Sequence, residues 1–462
     1  MQKWHLTVGL TGVALVSAMV APRLLGLGPS PVTTAAVSVD APMPRPSKSG
    51  PIVLDGGLDQ DAIRQGRDER FLVLEVRAPT SPGEVTRRPV DLAVVLDGSG
   101  SMSATGKIDH AKEAARQLAR AIGPDDTYSL VVFNDAARVI RPAAPVTDAR
   151  AIDRLLQRVY EGGGTNLHQG LLHGGREIAR VHDSDRVGRV VVLSDGKATV
   201  GITNPEQTAA QAAELARDGI TVSTIGLGLD YNEDALAKIA DLGGGSYDFV
   251  DNPSTLAQVF DDELQRSFKV VARGARVRLE LLGGTELLEV IGWETTAAGL
   301  GQHDIWLGDL VAGETRRIVA RVRTDATTGT AEVASAQIDY VHTGGLGHAT
   351  LPLYLPVVSA SEATELTNVK WATIAQRAWA NLYVERSTRA YASGDVAESR
   401  ELIRQGQQVL EAAARDYDAP ALLHEARGLD DTLQVFEHNA PSSVQGRRAI
   451  KSTKETFRGR VR

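Results

Sequence analysis

Along the chain the pattern of apolar and polar positions changes character twice. Residues 71–78, Phe-Leu-Val-Leu-Glu-Val-Arg-Ala, read as a strand of β-formers closed by the turn at Ser81-Pro82-Gly83. Strands and helices then alternate. Residues 90–96 are almost wholly apolar, as expected of a strand covered on both faces. Residues 108–122 carry apolar positions at helical spacing and are stopped by Gly123-Pro124. Residues 127–133 form the next strand, with a hairpin partner at 138–141. Helices are expected over 148–159, 167–181, 204–217, 232–240 and 253–267, and strands over 190–193, 220–225 and 246–250. Such alternation implies an α/β domain with a doubly wound, mostly parallel sheet.

After residue 269 the helical signals stop. Strand patterns at 270–273, 275–282, 287–293, 305–310, 315–323, 331–341 and 349–358 are separated by turn residues, which predicts a β-sandwich over 268–358. The strand at Phe71 is expected to join it through residues 67–87, so that the α/β domain at 88–267 is an insertion in the sandwich. Residues 359–438 return to a helical composition and predict a C-terminal helical module. Within it, 391–410 looks like one helical hairpin, too little for a solenoid. Trp371 and Trp379 are expected to pack in a core or between helices.

The ends of the chain differ from its middle. An uncharged apolar run at 6–21 follows Lys3, and Leu24-Leu25-Gly26-Leu27 extends it past Arg23. Its length lies between a secretory h-region and a full span. Residues 1–27 are therefore expected to be a signal peptide or membrane anchor. The protein would then be extracytoplasmic, in the periplasm or at the cell surface. If uncleaved, the segment would tie the body to a membrane. Residues 28–66, rich in Pro, Ser and Thr, are expected to be a solvated linker. No cysteine occurs in the 462 residues, which excludes disulfides, thiolate metal centres and a Cys nucleophile. The net charge is −8, but the 17 residues from Gly446 hold seven basic groups and one acidic group, or +6. The remaining body is therefore −14 (−8 minus +6), a poor partner for nucleic acid. Residues 439–462 are expected to be a basic, flexible, solvated tail, with contact to anionic lipid or folding back on the acidic body as the alternative.

The candidate chemistry follows the first buried strand, at Asp97-Gly98-Ser99-Gly100-Ser101. In an open parallel sheet, ligands sit beyond the carboxyl ends of the strands. The loop offers one carboxylate and two hydroxyls, all hard oxygen donors. Two further loops would reach the same edge: Gly162-Gly163-Gly164-Thr165-Asn166, and Ser194-Asp195-Gly196. Together Asp97, Ser99, Ser101, Thr165 and Asp195 make an oxygen-rich site.

This arrangement resembles the metal-ion-dependent adhesion site of the von Willebrand factor type A domain, over residues 88–267. The resemblance implies that those five residues hold Mg²⁺, or Mn²⁺ or Ca²⁺, directly or through water. Mg²⁺ demands octahedral oxygen ligation. Two carboxylates and three hydroxyls would leave the ion electrophilic, and a partner protein's Asp or Glu would complete it. The implied role is divalent-cation-dependent protein binding, with no catalytic residue, no organic cofactor and no enzymatic activity. The flanks resemble a bacterial exported group often labelled calcium-activated chloride channel homologues, at 71–79, 142–148 and 307–314. The channel label does not carry over as function, because one spanning segment at most cannot line a pore. An assembly or chaperone subunit serving an ATPase is the alternative reading, with an enzyme behind it.

Competing motifs fail on spacing. An EF-hand loop from Asp97 needs Glu where Ile108 stands. A phosphate loop ending at Gly106-Lys107 needs Gly where Ser101 stands and Ser or Thr where Ile108 stands. No Gly-x-Ser-x-Gly elbow and no His-Glu-x-x-His occurs. His168, His173 and His182 are expected to be solvated, and Gly243-Gly244-Gly245 to be a helix stop.

Overall fold

The computed structural model describes residues 46–80, 87–183, 185–359, 361–362 and 366–461. The expected signal or anchor, 1–27, and linker residues 28–45 lie outside the described residues. Among the described residues no helix is long and apolar enough to cross a membrane.

The chain opens in the sandwich. Strands β1 (Ser47–Ser49), β2 (Ile52–Leu58), β3 (Ile63–Arg64) and β4 (Gly66–Arg77) come first. This corrects the expectation of a solvated linker through residue 66. Ile52, Leu54 and Leu58 are fully or almost fully buried. Pro46 and Pro51 stand beside the strands, where no ladder hydrogen bond is lost.

The α/β domain follows: β5 (Val90–Asp97), α1 (Lys107–Ala121), β6 (Thr127–Phe133), β7 (Ala137–Ala144), α2 (Ala149–Leu156), α3 (Leu167–Ala179), β8 (Val187–Ser194), α4 (Pro205–Arg217), β9 (Ile220–Leu227), α5 (Glu233–Leu242), β10 (Gly244–Val250) and α6 (Leu256–Phe268). Its sheet has the order β10-β9-β8-β5-β6-β7. All pairs are parallel except β6 with β7. Every residue of β5 is buried, because α1 and α6 cover one face and α3, α4 and α5 the other. Side-chain caps fix the helix starts: Asn166, Asn204 and Asn232 each accept from a backbone N–H of the first turn.

The sandwich resumes with β11 (Val270–Leu281), β12 (Glu286–Ile291), β13 (Thr295–Gly299), β14 (Gln302–Val311), β15 (Thr315–Ala326), β16 (Gly329–His342) and β17 (Gly345–Val358). Its sheets run β1-β2-β4-β15-β12 and β13-β14-β11-β16-β17-β3. Strand β4 pairs antiparallel with β15 from Gly66↔Ala326 to Arg77↔Thr315. The α/β domain therefore interrupts the sandwich between β4 and β11.

Helices α7 (Val369–Ser393), α8 (Val396–Asp416), α9 (Pro420–His438) and α10 (Val444–Val461) complete the fold. Trp371 is buried against Val73 and Val319 of the sandwich, and the Trp379 ring meets Phe71 at 5.6 Å. The expected flexible tail is instead α10, docked on the α/β domain. Arg447 pairs with Asp230, Lys451 with Glu233, Lys454 with Glu233 and Asp234, and Arg458 with Asp241. The basic end thus folds back on the acidic body.

Candidate functional site

Asp97 ends β5 at the carboxyl edge of the sheet, where β8 and β6 flank it on opposite sides. Backbone hydrogen bonds stitch three loops together there. Gly98 N–H donates to Phe133 O at 2.7 Å, Gly162 N–H to Gly98 O at 2.8 Å, and Gly100 N–H to Gly163 O at 3.1 Å. Gly163 has φ +78°, and a Cβ there would lie 2.4 Å from an Asp135 carboxylate oxygen. Glycine is required at that position on both counts. Asp135 in turn accepts from Gly164 N–H at 2.8 Å, and Thr199 Oγ1 accepts from Thr165 N–H at 2.9 Å.

The five sequence-predicted residues converge. The Asp97 carboxylate accepts from Ser99 N–H at 2.8 Å and from the Ser194 hydroxyl at 2.6 Å. Ser101 Oγ donates to Asp195 Oδ1 at 2.6 Å and lies 3.0 Å from Ser99 Oγ. A Cβ on Gly196 would lie 3.3 Å from Thr165 Oγ1 and 3.5 Å from Ser101 Oγ, so both hydroxyls border one point. Asp97 and Asp195 are fully buried, Ser99 and Thr165 nearly so, and Ser101 is exposed at the mouth. Burial pushes the Asp97 carboxyl up to about 6. Hydrogen bonds from Ser194 and Ser99 oppose this rise, and the Asp195 charge adds to it.

Three contributors were missed from sequence. Ser194 lies in the Asp195 loop, but nothing in its spacing marks it as a partner of Asp97, and Asp135 carries no local motif. Lys107 surfaced only in the rejected phosphate-loop alignment. Its ammonium donates to Asp195 Oδ2 at 2.7 Å and its side chain is 10% exposed. A 3-10 turn over Gly100–Gly106, with Thr105 at φ +52°, swings it back over the site.

The donor set suits a hard divalent cation, since every converging donor is oxygen. The 3.0 Å between Ser99 Oγ and Ser101 Oγ matches the edge of about 2.9 Å that an octahedron with ligands at about 2.0–2.1 Å requires. Among the described residues no cluster of three or more His, Cys, Asp and Glu is placed to hold a metal. The two carboxylates here rely on hydroxyls for the remaining donors.

The expected solvated histidines are corrected at His182. Its side chain is 8% exposed, with Nδ1 3.5 Å from the buried Asp91 carboxylate at the opposite end of β5. Arg186 and Thr127 also bind Asp91, which holds its carboxyl below the usual range against the cost of burial.

Comparison with known proteins bears on the fold. Residues 91–262 match the family model of the von Willebrand factor type A domain. An uncharacterized protein of Synechocystis is 29% identical over 300 residues, 63% of this chain and 69% of that one. An uncharacterized Escherichia coli protein is 24% identical over 191 residues, and the match spans a third (33%) of its length. The solved structure of a von Willebrand factor type A protein from Catenulispora acidiphila superposes with a TM-score of 0.68 at 16% identity, covering 88% of this chain and 96% of that one. That likeness takes in the sandwich and helical module as well. Residues 91–262 of this chain thus form a von Willebrand factor type A domain, a general protein-interaction module.

Proposed function

We propose that this is an exported protein-binding protein whose α/β domain captures a partner carboxylate through a divalent cation. Asp97, Ser99, Ser101, Thr165 and Asp195 would hold Mg²⁺, with Mn²⁺ and Ca²⁺ as the other hard cations. When bound, the ion would supply an electrophilic, open coordination position at the sheet edge. The observation that carries the reading is the approach of Ser101 Oγ to Asp195 Oδ1 and Ser99 Oγ, side chains from two separate loops. Export rests on the apolar run at residues 6–21.

A charge count supports a carboxylate partner. Asp97 and Asp195 contribute −2 and Lys107 contributes +1. A divalent cation brings the site to +1, and one carboxylate from outside brings it to zero. Without Lys107 the loaded site would be neutral on its own, and a buried site tolerates net charge poorly.

The test is thermal unfolding with Mg²⁺ or EDTA, beside Asp97→Ala. A ligand that binds only the folded state stabilises it by about 2.7 kcal/mol at a hundredfold excess over Kd. The parent midpoint is expected to rise with Mg²⁺ and the variant's to stay put. Equal midpoints in Mg²⁺ and EDTA for the parent would end the metal reading.

A further inference from the structure

Beside the candidate ion site lies a cleft of about 660 Å³, a size within the roughly 300–1,000 Å³ of ligand pockets. The loop from β9 to α5 lines it. Lys197, the end of α7 and residues of α10 also line it. One adjacency in sequence and one packing contact tie it to the ion site. Lys197 stands two residues beyond Asp195. Gly228, next to the cleft residue Leu229, is packed on Lys107: a Cβ there would lie 3.3 Å from Lys107 Nζ.

The charges in the cleft are unequal. Glu233 is paired with Lys451 and Lys454, and Asp230 with Arg447. Lys197 is exposed and stands in no ion pair among the described residues. The uncompensated charge is therefore positive. Its carrier, Lys197, follows Asp195 by two residues, within reach of an extended peptide that rises about 3.3 Å per residue.

We propose that the cleft takes the continuation of the same partner segment, with a second Asp or Glu of that segment on Lys197. The helical module would then form part of the binding surface. This rests on the metal-dependent reading above and adds to it the partner's class: an extended peptide with two acidic residues a few positions apart.

The test uses the full chain and fluorescent Gly/Ser peptides carrying one Asp, or two Asp separated by two to six residues. In Mg²⁺, one spacing is expected to bind at least tenfold more tightly than the single-Asp peptide. In Lys197→Ala the two peptides should bind alike. Ala392→Trp, which fills the cleft from the exposed end of α7, should abolish the gain and leave single-Asp binding in place. Unfolding midpoints check that both variants fold. No gain at any spacing, or a gain that survives Lys197→Ala, overturns the cleft alone. Absence of Mg²⁺-dependent binding by the single-Asp peptide overturns the metal reading, and this proposal with it.

Discussion

Lys107 Nζ donates to Asp195 Oδ2 at 2.7 Å while Ser101 Oγ donates to Asp195 Oδ1 at 2.6 Å, so one buried carboxylate serves a cation and a hydroxyl at once. A divalent ion placed here must share Asp195 with an ammonium. Two positive centres a few ångströms apart oppose each other by several kcal/mol even at an effective dielectric constant of about 20. Lys107→Met keeps the length and removes the charge. We expect Mg²⁺ affinity, measured calorimetrically without partner, to rise about tenfold or more. In EDTA the variant should unfold earlier, since a buried carboxylate stripped of its partner costs about 3–5 kcal/mol. Mg²⁺ should restore much of that loss. An unchanged Mg²⁺ affinity would show that ion and ammonium do not compete for Asp195.

A second expectation concerns the seam between the α/β domain and the sandwich. Gly244 (φ +69°) opens β10 and Gly308 (φ +73°) lies in β14, and their backbones touch. A Cβ on Gly308 would lie 2.0 Å from Gly244 O. Gly308→Ala must move two backbones and also strains its own φ. A loss on the order of 2–4 kcal/mol is expected from the positive φ and the clash together. Denaturant unfolding would measure it, and a loss below about 0.5 kcal/mol would mean the two bodies are not held in this contact.

What could be read from sequence divides along a physical line. The buried strand ending at Asp97 and the loops at Thr165 and Asp195 are local patterns, and their place at a sheet edge follows from strand–helix alternation. Lys107 was hidden because its role depends on the turn with Thr105 at positive φ, which no spacing rule supplies. Strand β2 was hidden by Asp55-Gly56-Gly57. Gly57 is small because the Trp371 ring fills its place: a Cβ would lie 2.5 Å from Trp371 Nε1. That helix–sheet contact spans most of the chain. Helix α10 was legible and overlooked. Arg447, Lys451, Lys454 and Arg458 are spaced four, three and four apart, one face of a helix. Composition alone described them as a charged tail. The triple glycine was read as a helix stop, and close approach to Gly308 adds a second cause.

That stripe yields a third prediction. Arg458 Nη2 pairs with Asp241 at 2.9 Å, with side-chain exposures of 23% and 8%. Because the pair is mostly shielded, it should couple more strongly than the 0.2–1 kcal/mol typical of exposed pairs. A double-mutant cycle of Arg458→Met and Asp241→Asn, followed by urea unfolding, is expected to give a coupling of about 1–3 kcal/mol. Raising salt should reduce it only modestly, since shielded pairs are screened little. Additive effects within about 0.3 kcal/mol would mean that this pair does not help hold α10, leaving that to the Arg447, Lys451 and Lys454 pairs and to the apolar contacts of Ile450 and Phe457.

The last prediction concerns acid on β10. Burial pushes the Asp248 carboxyl up to about 6, the Glu263 charge adds to the rise, and the Ser246 hydroxyl opposes it. Glu455 of α10 adds further negative charge, and Arg266 opposes. In the unfolded chain an Asp titrates near 3.9. Between about 4 and 6 the folded state therefore holds a proton that the unfolded state has released. Stability contributed by this group must fall as pH rises through that window and stay reduced above it. Asp248→Asn keeps an oxygen acceptor for the Ser246 hydroxyl, which donates to Asp248 Oδ2 at 3.0 Å. The substitution abolishes the titration. We expect the variant to match the parent near pH 4 and to exceed it at pH 7.5 by on the order of 1–3 kcal/mol, the span of about two pKa units. Thermal unfolding of both proteins in EDTA from pH 4 to 8 reads the effect, because Asp97 and Asp59 titrate alike in each and the difference belongs to Asp248 together with Glu455, whose charge faces it. If the difference between the two midpoints stayed constant across that range, Asp248 would have to be ionised in the folded state throughout, and the acidic pocket between β10, α6 and α10 would be better solvated than its burial implies.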